Sequence, residues 1–176
     1  MKIGLCGTMS VGKTTLVKAL AELPEFSNYK FRTERSKYLM ELGIPLNTDS
    51  TTKGQAVFLA ERASELMQED IITDRTIIDV MAFAKASKSM NYVEAQEFCN
   101  FAATMLHEYD YIFYVSPEGV EIEDNGVRET NAEYRDIINN MINLLITKYK
   151  SKIKNLHTLS GTTEERIGQI LKTIKL

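Results

Sequence analysis

The sequence predicts an α/β fold in which a five-stranded parallel sheet lies between two layers of helices. Short apolar runs alternate with amphipathic stretches along the chain of 176 residues, and this alternation is typical of a parallel sheet covered on both faces. The run 111–115 is apolar without interruption, as expected for a central strand. Several amphipathic stretches begin with Thr or Asn followed three residues later by Glu or Gln, which is the pattern of a helix capping box.

The predicted elements follow one another from the first residues to the last. Strands are expected at residues 2–6, 29–33, 71–74, 111–115 and 156–159. Helices are expected at residues 15–22, 34–42, 52–69, 76–88 and 91–107, from about 130 to 145, and at 162–174. Capping boxes are predicted for Thr52 with Gln55, Asn91 with Glu94, Thr130 with Glu133, and Thr162 with Glu165.

Three phenylalanines have the spacing of helix core residues, namely Phe58, Phe83 and Phe101. Burial in the core is the simplest expectation for them. The alternative is that one of these rings forms a wall against which a base stacks.

Residues 7–14 match the motif G-x-x-x-x-G-K-[ST] of phosphate-binding loops, and we call them the phosphate loop. A strand precedes the loop and a helix follows it, so its backbone N–H groups and the positive helix end can meet one anion. Lys13 is expected to contact the β- and γ-phosphates, and the Thr14 hydroxyl to ligate Mg²⁺. The residues expected to bind ATP here are Gly7, Thr8, Met9, Ser10, Val11, Gly12, Lys13, Thr14 and Thr15.

Charged residues follow two other predicted strands, at the sheet edge where parallel sheets bind ligands. Asp74 is expected to hold magnesium-bound water, and Arg75 to bind a phosphate or a polar sugar edge. The alternative for this pair is a surface ion pair. Glu34 would orient or deprotonate an attacking hydroxyl, unless it only favours the start of a helix.

The polar stretch 116–131 contains Pro117, Gly119 and Gly126 and is the best candidate for a mobile loop. Arg128 and Arg135 flank its end, and we expect them to cover the transferring phosphoryl group. Solvated charge is the alternative for both. Segment 116–136 is therefore a candidate lid of one domain that spans residues 1–176.

Composition limits the kinds of partner. The net charge of −3, from 21 basic and 24 acidic residues, gives no broad electrostatic footprint for nucleic acid or an anionic membrane. No run of about 18 apolar residues predicts a membrane span. Two cysteines are too few for a disulfide framework, which favours a reducing, cytoplasmic setting.

Motifs in a characteristic order resemble a known family over nearly the whole chain. They are the phosphate loop, Thr33-Glu34-Arg35-Ser36, Asp74-Arg75-Thr76-Ile77-Ile78-Asp79, and Asp124-Asn125-Gly126-Val127-Arg128. This set resembles the phosphate-loop nucleoside and nucleotide kinases, a group that includes thymidylate kinase. It is similar in particular to small ATP-binding proteins related to ribosylnicotinamide kinase. The resemblance implies Mg²⁺·ATP as the phosphoryl donor, a lid arginine at Arg128 and an acceptor-side acid at Glu34.

The acceptor side departs from the family pattern. Relatives often have an arginine three residues after the acid, where this chain has Lys37, so either Arg35 or Lys37 is a candidate to meet the acceptor. Asp79 is grouped with these residues and Arg75 as acceptor-binding, the alternative being an ordinary acid in the first turn of a helix. The residues that define thymine recognition are not evident, so no base is carried over.

We therefore expect transfer of the ATP γ-phosphoryl group to a small nucleoside or nucleotide. Two alternatives remain at this stage: a kinase acting on a hydroxyl of DNA or RNA, and an NTP-dependent switch that binds a protein partner. The sequence leaves the oligomeric state open, with the helix that contains Gln55 as a candidate face for a homodimer.

Overall fold

Five parallel strands form the sheet, in the order β2-β3-β1-β4-β5. In a computed structural model of the chain they are β1 (Lys2–Cys6), β2 (Lys30–Arg32), β3 (Ile71–Asp74), β4 (Tyr111–Val115) and β5 (Leu156–Leu159). The structure describes residues 1–33, 36–119 and 132–175, with only the backbone of residues 36, 37 and 48. The predicted α/β fold with a five-stranded parallel sheet is confirmed, and only β2 is shorter than expected.

Helices connect the strands and cover both faces of the sheet. In the described ranges they are α1 (Lys13–Ala21), α2 (Ser36–Glu41), α3 (Thr52–Leu66), α4 (Ile77–Ala86), α5 (Tyr92–Ala102), α6 (Ala132–Lys148) and α7 (Thr163–Ile174). Each is close to a predicted helix, although α3 and α5 end earlier than expected. The part of α5 that was predicted to continue is a 3-10 helix, Ala103–Glu108. No helix within the described residues is long and apolar enough to span a bilayer.

The predicted caps have different outcomes. The boxes of Asn91 with Glu94 and of Thr162 with Glu165 are confirmed. The box predicted for α3 is wrong, because its N-cap is Thr51, whose side chain accepts a hydrogen bond from the backbone N–H of Gly54. Gln55 is therefore not a capping residue. The box predicted for Thr130 falls partly outside the described residues.

The core consists of two main apolar layers, one on each face of the sheet. On one face, Ile3 and Leu5 of β1 pack with buried residues of α1 and α7. On the other face, the layer is built around α4 and includes residues of α3, α5 and α6. Residues 77–84 of α4 are all buried, so this helix is covered on every side and not on one apolar face alone. Neighbours on several sides explain this, since α4 lies under α3, α5 and α6.

The strand order places the chemically interesting residues at one edge. The central strand β1 pairs with β3 on one side and β4 on the other, with Leu5 opposite Asp74 and Cys6 opposite Tyr114. The phosphate loop therefore leaves the sheet between the end of β3 and the end of β4. This is the carboxyl edge, where ligands of parallel sheets bind.

Candidate functional site

The phosphate loop joins β1 to α1 through a backbone with several positive φ angles. Gly7 has φ +154°, Ser10 has φ +55° and Gly12 has φ +83°. Such angles suit glycine and turn a short loop around a central space. Gly12 is the N-cap of α1, and no side chain of the described residues caps this helix end. The first N–H groups of α1 are thus left for a partner other than a capping side chain.

Lys13 reaches back across the loop. Its Nζ donates hydrogen bonds to the carbonyl oxygens of Gly7 at 2.6 Å and Thr8 at 2.7 Å, and the residue is buried. Desolvation lowers the pKa of Lys13, while the nearby charges of Asp79 and Asp74 act in the opposite direction. The Lys13 ammonium group is therefore held inside the loop and is already desolvated, so a phosphate that binds there need not displace water from it.

Thr14 and Asp74 meet beside the loop. The Thr14 hydroxyl donates a hydrogen bond to Oδ2 of Asp74, which is buried at the end of β3. A hydroxyl with one carboxylate fits Mg²⁺, which commonly takes one or two carboxylates together with phosphate oxygens and water. Within the described residues, no cluster of three or more His, Cys, Asp or Glu side chains could hold a metal by itself. The pair therefore suits a metal ion that arrives with a phosphate ligand.

Asp79 lies behind the loop and is fully buried. Its Oδ1 accepts a hydrogen bond from the Gly7 N–H at 3.1 Å. Its Oδ2 accepts from the Thr76 N–H at 2.7 Å and the Thr76 hydroxyl at 2.9 Å, which completes a capping box at the start of α4. This geometry differs from the acceptor contact expected from the sequence, because both oxygens are used within the protein. Asp79 is placed to position the phosphate loop and α4.

Arg75 follows Asp74 directly and has φ +102°, a conformation that long side chains rarely adopt. Its guanidinium carbon lies 4.8 Å from the centre of the Phe83 ring, within cation–π distance. The side chain lines two neighbouring cavities. The first, which we call the loop cleft, is also lined by Asp74 and residues 9–14.

The second cavity, which we call the apolar cavity, contains about 410 Å³ of space including its mouth. Its walls combine aromatic and aliphatic side chains with amides and two arginines: Leu46, Asn47, Gln55, Phe58, Arg62, Arg75, Val80 and Phe83. Since Arg75 lines both cavities, the apolar cavity adjoins the phosphate loop. This is the expected arrangement for a site that binds two ligands side by side.

Two polar groups of the apolar cavity have unused hydrogen-bonding capacity. Gln55 donates through Nε2 to the Ser50 hydroxyl at 2.8 Å, but its Oε1 has no partner among the described residues. Arg62 donates through Nη2 to Glu65 at 2.7 Å, and its buried Nε likewise has no partner there. Buried polar atoms normally have partners, so one acceptor and one donor remain available to a ligand.

Glu65 is buried and pairs with Arg62, which lines the apolar cavity. Burial raises the pKa of Glu65 to about 7, although the charge and hydrogen bond of Arg62 act to lower it. The charge on this pair is therefore sensitive to pH near neutrality.

Arg135 lies at the start of α6 and is close to the phosphate loop. Its carbonyl oxygen accepts a hydrogen bond from the Thr8 hydroxyl at 2.9 Å, and its Nη2 donates to the Pro117 carbonyl at 3.4 Å. The residue is 9% exposed, so it is not the solvated charge considered as an alternative. Glu34, Arg35 and Arg128 lie outside the described residues, as does the side chain of Lys37.

A family model described as AAA domain matches residues 2–166. The chain belongs to this family. No curated protein matches the sequence. Among solved structures, a deoxyadenosine kinase from M. mycoides with bound dCTP is similar, with 17% identity, a TM-score of 0.66 and 99% of each chain covered.

A second solved structure, the NadR protein in complex with NAD and AMP-PNP, is similar with 14% identity and a TM-score of 0.70. The likeness covers 99% of this chain and 49% of that chain, so this chain spans about half of NadR. At such identities the similarity shows the fold. The protein has the phosphate-loop kinase fold, as the family resemblance in its sequence indicates.

Most residues that line the apolar cavity were not predicted from the sequence to be site residues. Gln55 is predicted to be a capping residue but lines the cavity instead. Phe58 and Phe83 line the cavity, which agrees with the alternative of a stacking wall, whereas Phe101 is 66% exposed and is not a core residue. The spacing of Gln55, Phe58 and Arg62, at intervals of three and four residues on one helix, was the available signal.

Proposed function

We propose that the protein is an ATP-dependent phosphotransferase that moves the γ-phosphoryl group of ATP to a nucleoside or nucleotide. The observation that carries the proposal is the junction at Arg75, where a phosphate-binding loop cleft adjoins an aromatic-lined cavity with two unused polar groups. The similar structures support a small nucleotide-type acceptor, since their ligands are dCTP in one case and NAD with AMP-PNP in the other.

The donor side is formed by the phosphate loop. The N–H groups of residues 8–15 would surround the β- and γ-phosphates of ATP, while the Gly7 N–H stays bonded to Asp79. Lys13 would exchange its contacts with loop carbonyls for contacts with phosphate oxygens. Thr14 and Asp74 would hold Mg²⁺, directly or through water. Bound Mg²⁺ supplies charge neutralisation at the phosphates.

The acceptor side is formed by the apolar cavity. A planar base would pack against Phe58 and Phe83, where its polar edge could donate to Oε1 of Gln55 and accept from Nε of Arg62. Arg75 would then face the sugar or its phosphate, between acceptor and donor. Selection by an amide and a guanidinium suits a ligand that carries both donors and acceptors on one edge.

The transfer itself forms a bond from an acceptor oxygen to the γ-phosphorus and breaks the bond from that phosphorus to the β–γ bridging oxygen. ATP becomes ADP, and the acceptor hydroxyl loses its proton. We assign Glu34 to orient the attacking hydroxyl or to accept its proton, and Arg35 or Lys37 to contact the acceptor. Arg128 is assigned to the developing charge on the candidate lid, segment 116–136, and Arg135 is assigned to the same charge from the first turn of α6, where that segment ends. These assignments extend the sequence interpretation.

The test is release of ADP from ATP in the presence of nucleosides, nucleoside monophosphates or oligonucleotides. Release that depends on a nucleoside or monophosphate, and that a folded Lys13→Ala variant lacks, would support the proposal. Release that depends only on oligonucleotides would favour the nucleic-acid alternative. Hydrolysis that depends on a protein partner and on no acceptor would favour the switch.

A further inference from the structure

Arg166 of α7 is a buried cation that lies against the phosphate loop and is only 4% exposed. Its Nη1 donates to the Val11 carbonyl oxygen at 2.7 Å, and its Nη2 donates to the Ser116 carbonyl oxygen at 3.4 Å. Its Nε has no partner among the described residues, and its known contacts there include no carboxylate. Burying a charge costs free energy, and the described residues give Arg166 no carboxylate partner to offset it, so this placement requires an explanation.

The contact with Val11 acts on the next N–H group of the loop. The Val11 carbonyl and the Gly12 N–H belong to one trans peptide and point in opposite directions. Arg166 is not among the residues that line the loop cleft, so it holds the Val11 carbonyl from outside. The Gly12 N–H is thereby directed towards the cleft.

The Arg166 guanidinium lies very close to Gly12. A Cβ atom at Gly12 would lie 3.2 Å from Nη1 of Arg166, and the φ angle of +83° is one that only glycine adopts easily. Gly12 is also the uncapped N-cap of α1. The guanidinium therefore fixes the peptide at the point where the loop becomes the helix.

We propose that Arg166 is a positioning residue that aims the Gly12 N–H at the nucleotide phosphates and adds positive charge behind the phosphate loop. It acts through the Val11–Gly12 peptide. The inference rests on the proposed function, because it requires a phosphate ligand in the loop cleft. The bond to Ser116 ties the same guanidinium to the end of β4.

A purely structural role for Arg166 is the competing explanation. Ile170 and Ile174 of the same helix pack in the core beside α1, and Arg166 could simply help to attach α7. Such a role would change stability without discriminating between ligands. The positioning role instead predicts weaker binding of phosphate chains, whether or not an adenosine is attached.

The experiment is calorimetric titration of the full chain with AMP-PNP and with tripolyphosphate. Arg166→Met removes the charge and both hydrogen bonds, whereas Arg166→Lys keeps the charge and can reach one carbonyl. Arg166→Met is expected to weaken both ligands about tenfold or more, and Arg166→Lys is expected to recover part of the loss. The matched control is Lys172→Met, which removes an exposed cation from the same helix and should leave both affinities unchanged.

Kinetics give a second measurement that a structural role would not reproduce. For Arg166→Lys, the KM for ATP is expected to rise several-fold, while the KM for the acceptor stays near the wild-type value. Equal rises in both KM values would show an effect that is not confined to the donor side, and would overturn the proposal. A lower apparent kcat with both KM values unchanged would show only a loss of folded protein, and would overturn it as well.

The titrations can fail in distinguishable ways. Wild-type affinity for both ligands in a folded Arg166→Met variant would overturn the positioning role. A loss for AMP-PNP with unchanged tripolyphosphate binding would also overturn it, because Arg166 would then serve the nucleoside part. If Arg166→Met does not fold, Arg166→Lys decides by the same comparison. A wild-type protein that binds neither ligand would refute the proposed function and this inference together.

Discussion

Replacing Asp79 by Asn tests how the phosphate loop is held in place. The carboxylate accepts hydrogen bonds from the Gly7 N–H, the Thr76 N–H and the Thr76 hydroxyl. An Asn side chain has one acceptor oxygen and one NH₂ group of nearly the same shape. Whichever way the amide is turned, its NH₂ group faces at least one backbone N–H. The less costly orientation keeps the two bonds from Thr76 and gives up the bond from Gly7.

The structure sets the size of the effect. Loss of one hydrogen bond to a charged acceptor, with the donor left buried, costs about 2 kcal/mol. For a chain of 176 residues this corresponds to a fall in Tm of about 4–8 °C. The abandoned donor belongs to the first residue of the phosphate loop, so the affinity for AMP-PNP is expected to fall as well, while the KM for the acceptor changes little.

The assay is urea denaturation together with calorimetric titration of AMP-PNP. Glu94→Gln is the matched control, because Glu94 completes a capping box of the same kind at the exposed start of α5. Its cost is expected to stay below about 1 kcal/mol, since water can replace the lost acceptor. The reasoning would be refuted if Asp79→Asn were as stable as Glu94→Gln and bound AMP-PNP like the wild type.

Three further substitutions address the donor, the acceptor and a titrating pair. Lys13→Ala is expected to lose on the order of 3 kcal/mol of transition-state stabilisation while remaining folded; near-normal kcat would contradict the site. Gln55→Leu is expected to raise the KM of the acceptor and leave that of ATP unchanged, so equal changes would count against base recognition. Glu65→Gln is expected to be more stable relative to the wild type at pH 8 than at pH 4.5 by about 3 kcal/mol in urea denaturation. The reason is that the folded protein holds the Glu65 proton more tightly, with a pKa of about 7 against 4.5, so wild-type stability falls as pH rises between these values; parallel pH profiles would contradict it.

Features that depend on contiguous residues could be predicted from the sequence. The strand, phosphate loop and α1 are encoded within the first 21 residues, and the capping boxes of α5 and α7 each span four residues. Alternation of apolar strands with amphipathic helices was sufficient for the fold class. In these cases the residue pattern that specifies the element lies within the segment itself.

Features that depend on distant residues could not be predicted in the same way. The apolar cavity brings together a loop, α3 and α4, and no local pattern sets which helix faces meet there. The capping role predicted for Gln55 is wrong because the cap is Thr51 and not Thr52, which puts Gly54 at the third helical position in place of Gln55. Asp79 bonds to Gly7, a residue 72 positions away, so its position behind the loop followed only from the three-dimensional structure.

The backbone of Arg75, at the junction between the two cavities, is strained. A backbone φ angle of +102° at a residue other than glycine costs about 1–3 kcal/mol, and a glycine at this position would avoid that cost. The strain is held by the sheet: the Arg75 N–H donates to the Leu5 carbonyl and the Thr73 hydroxyl donates to the Arg75 carbonyl, both at 2.9 Å. Because Leu5 lies opposite Asp74 in the register, this backbone cannot relax without disturbing the residue beside Thr14. The proposed function accounts for this strain, since it assigns the Arg75 guanidinium to the point between the donor phosphates and the acceptor.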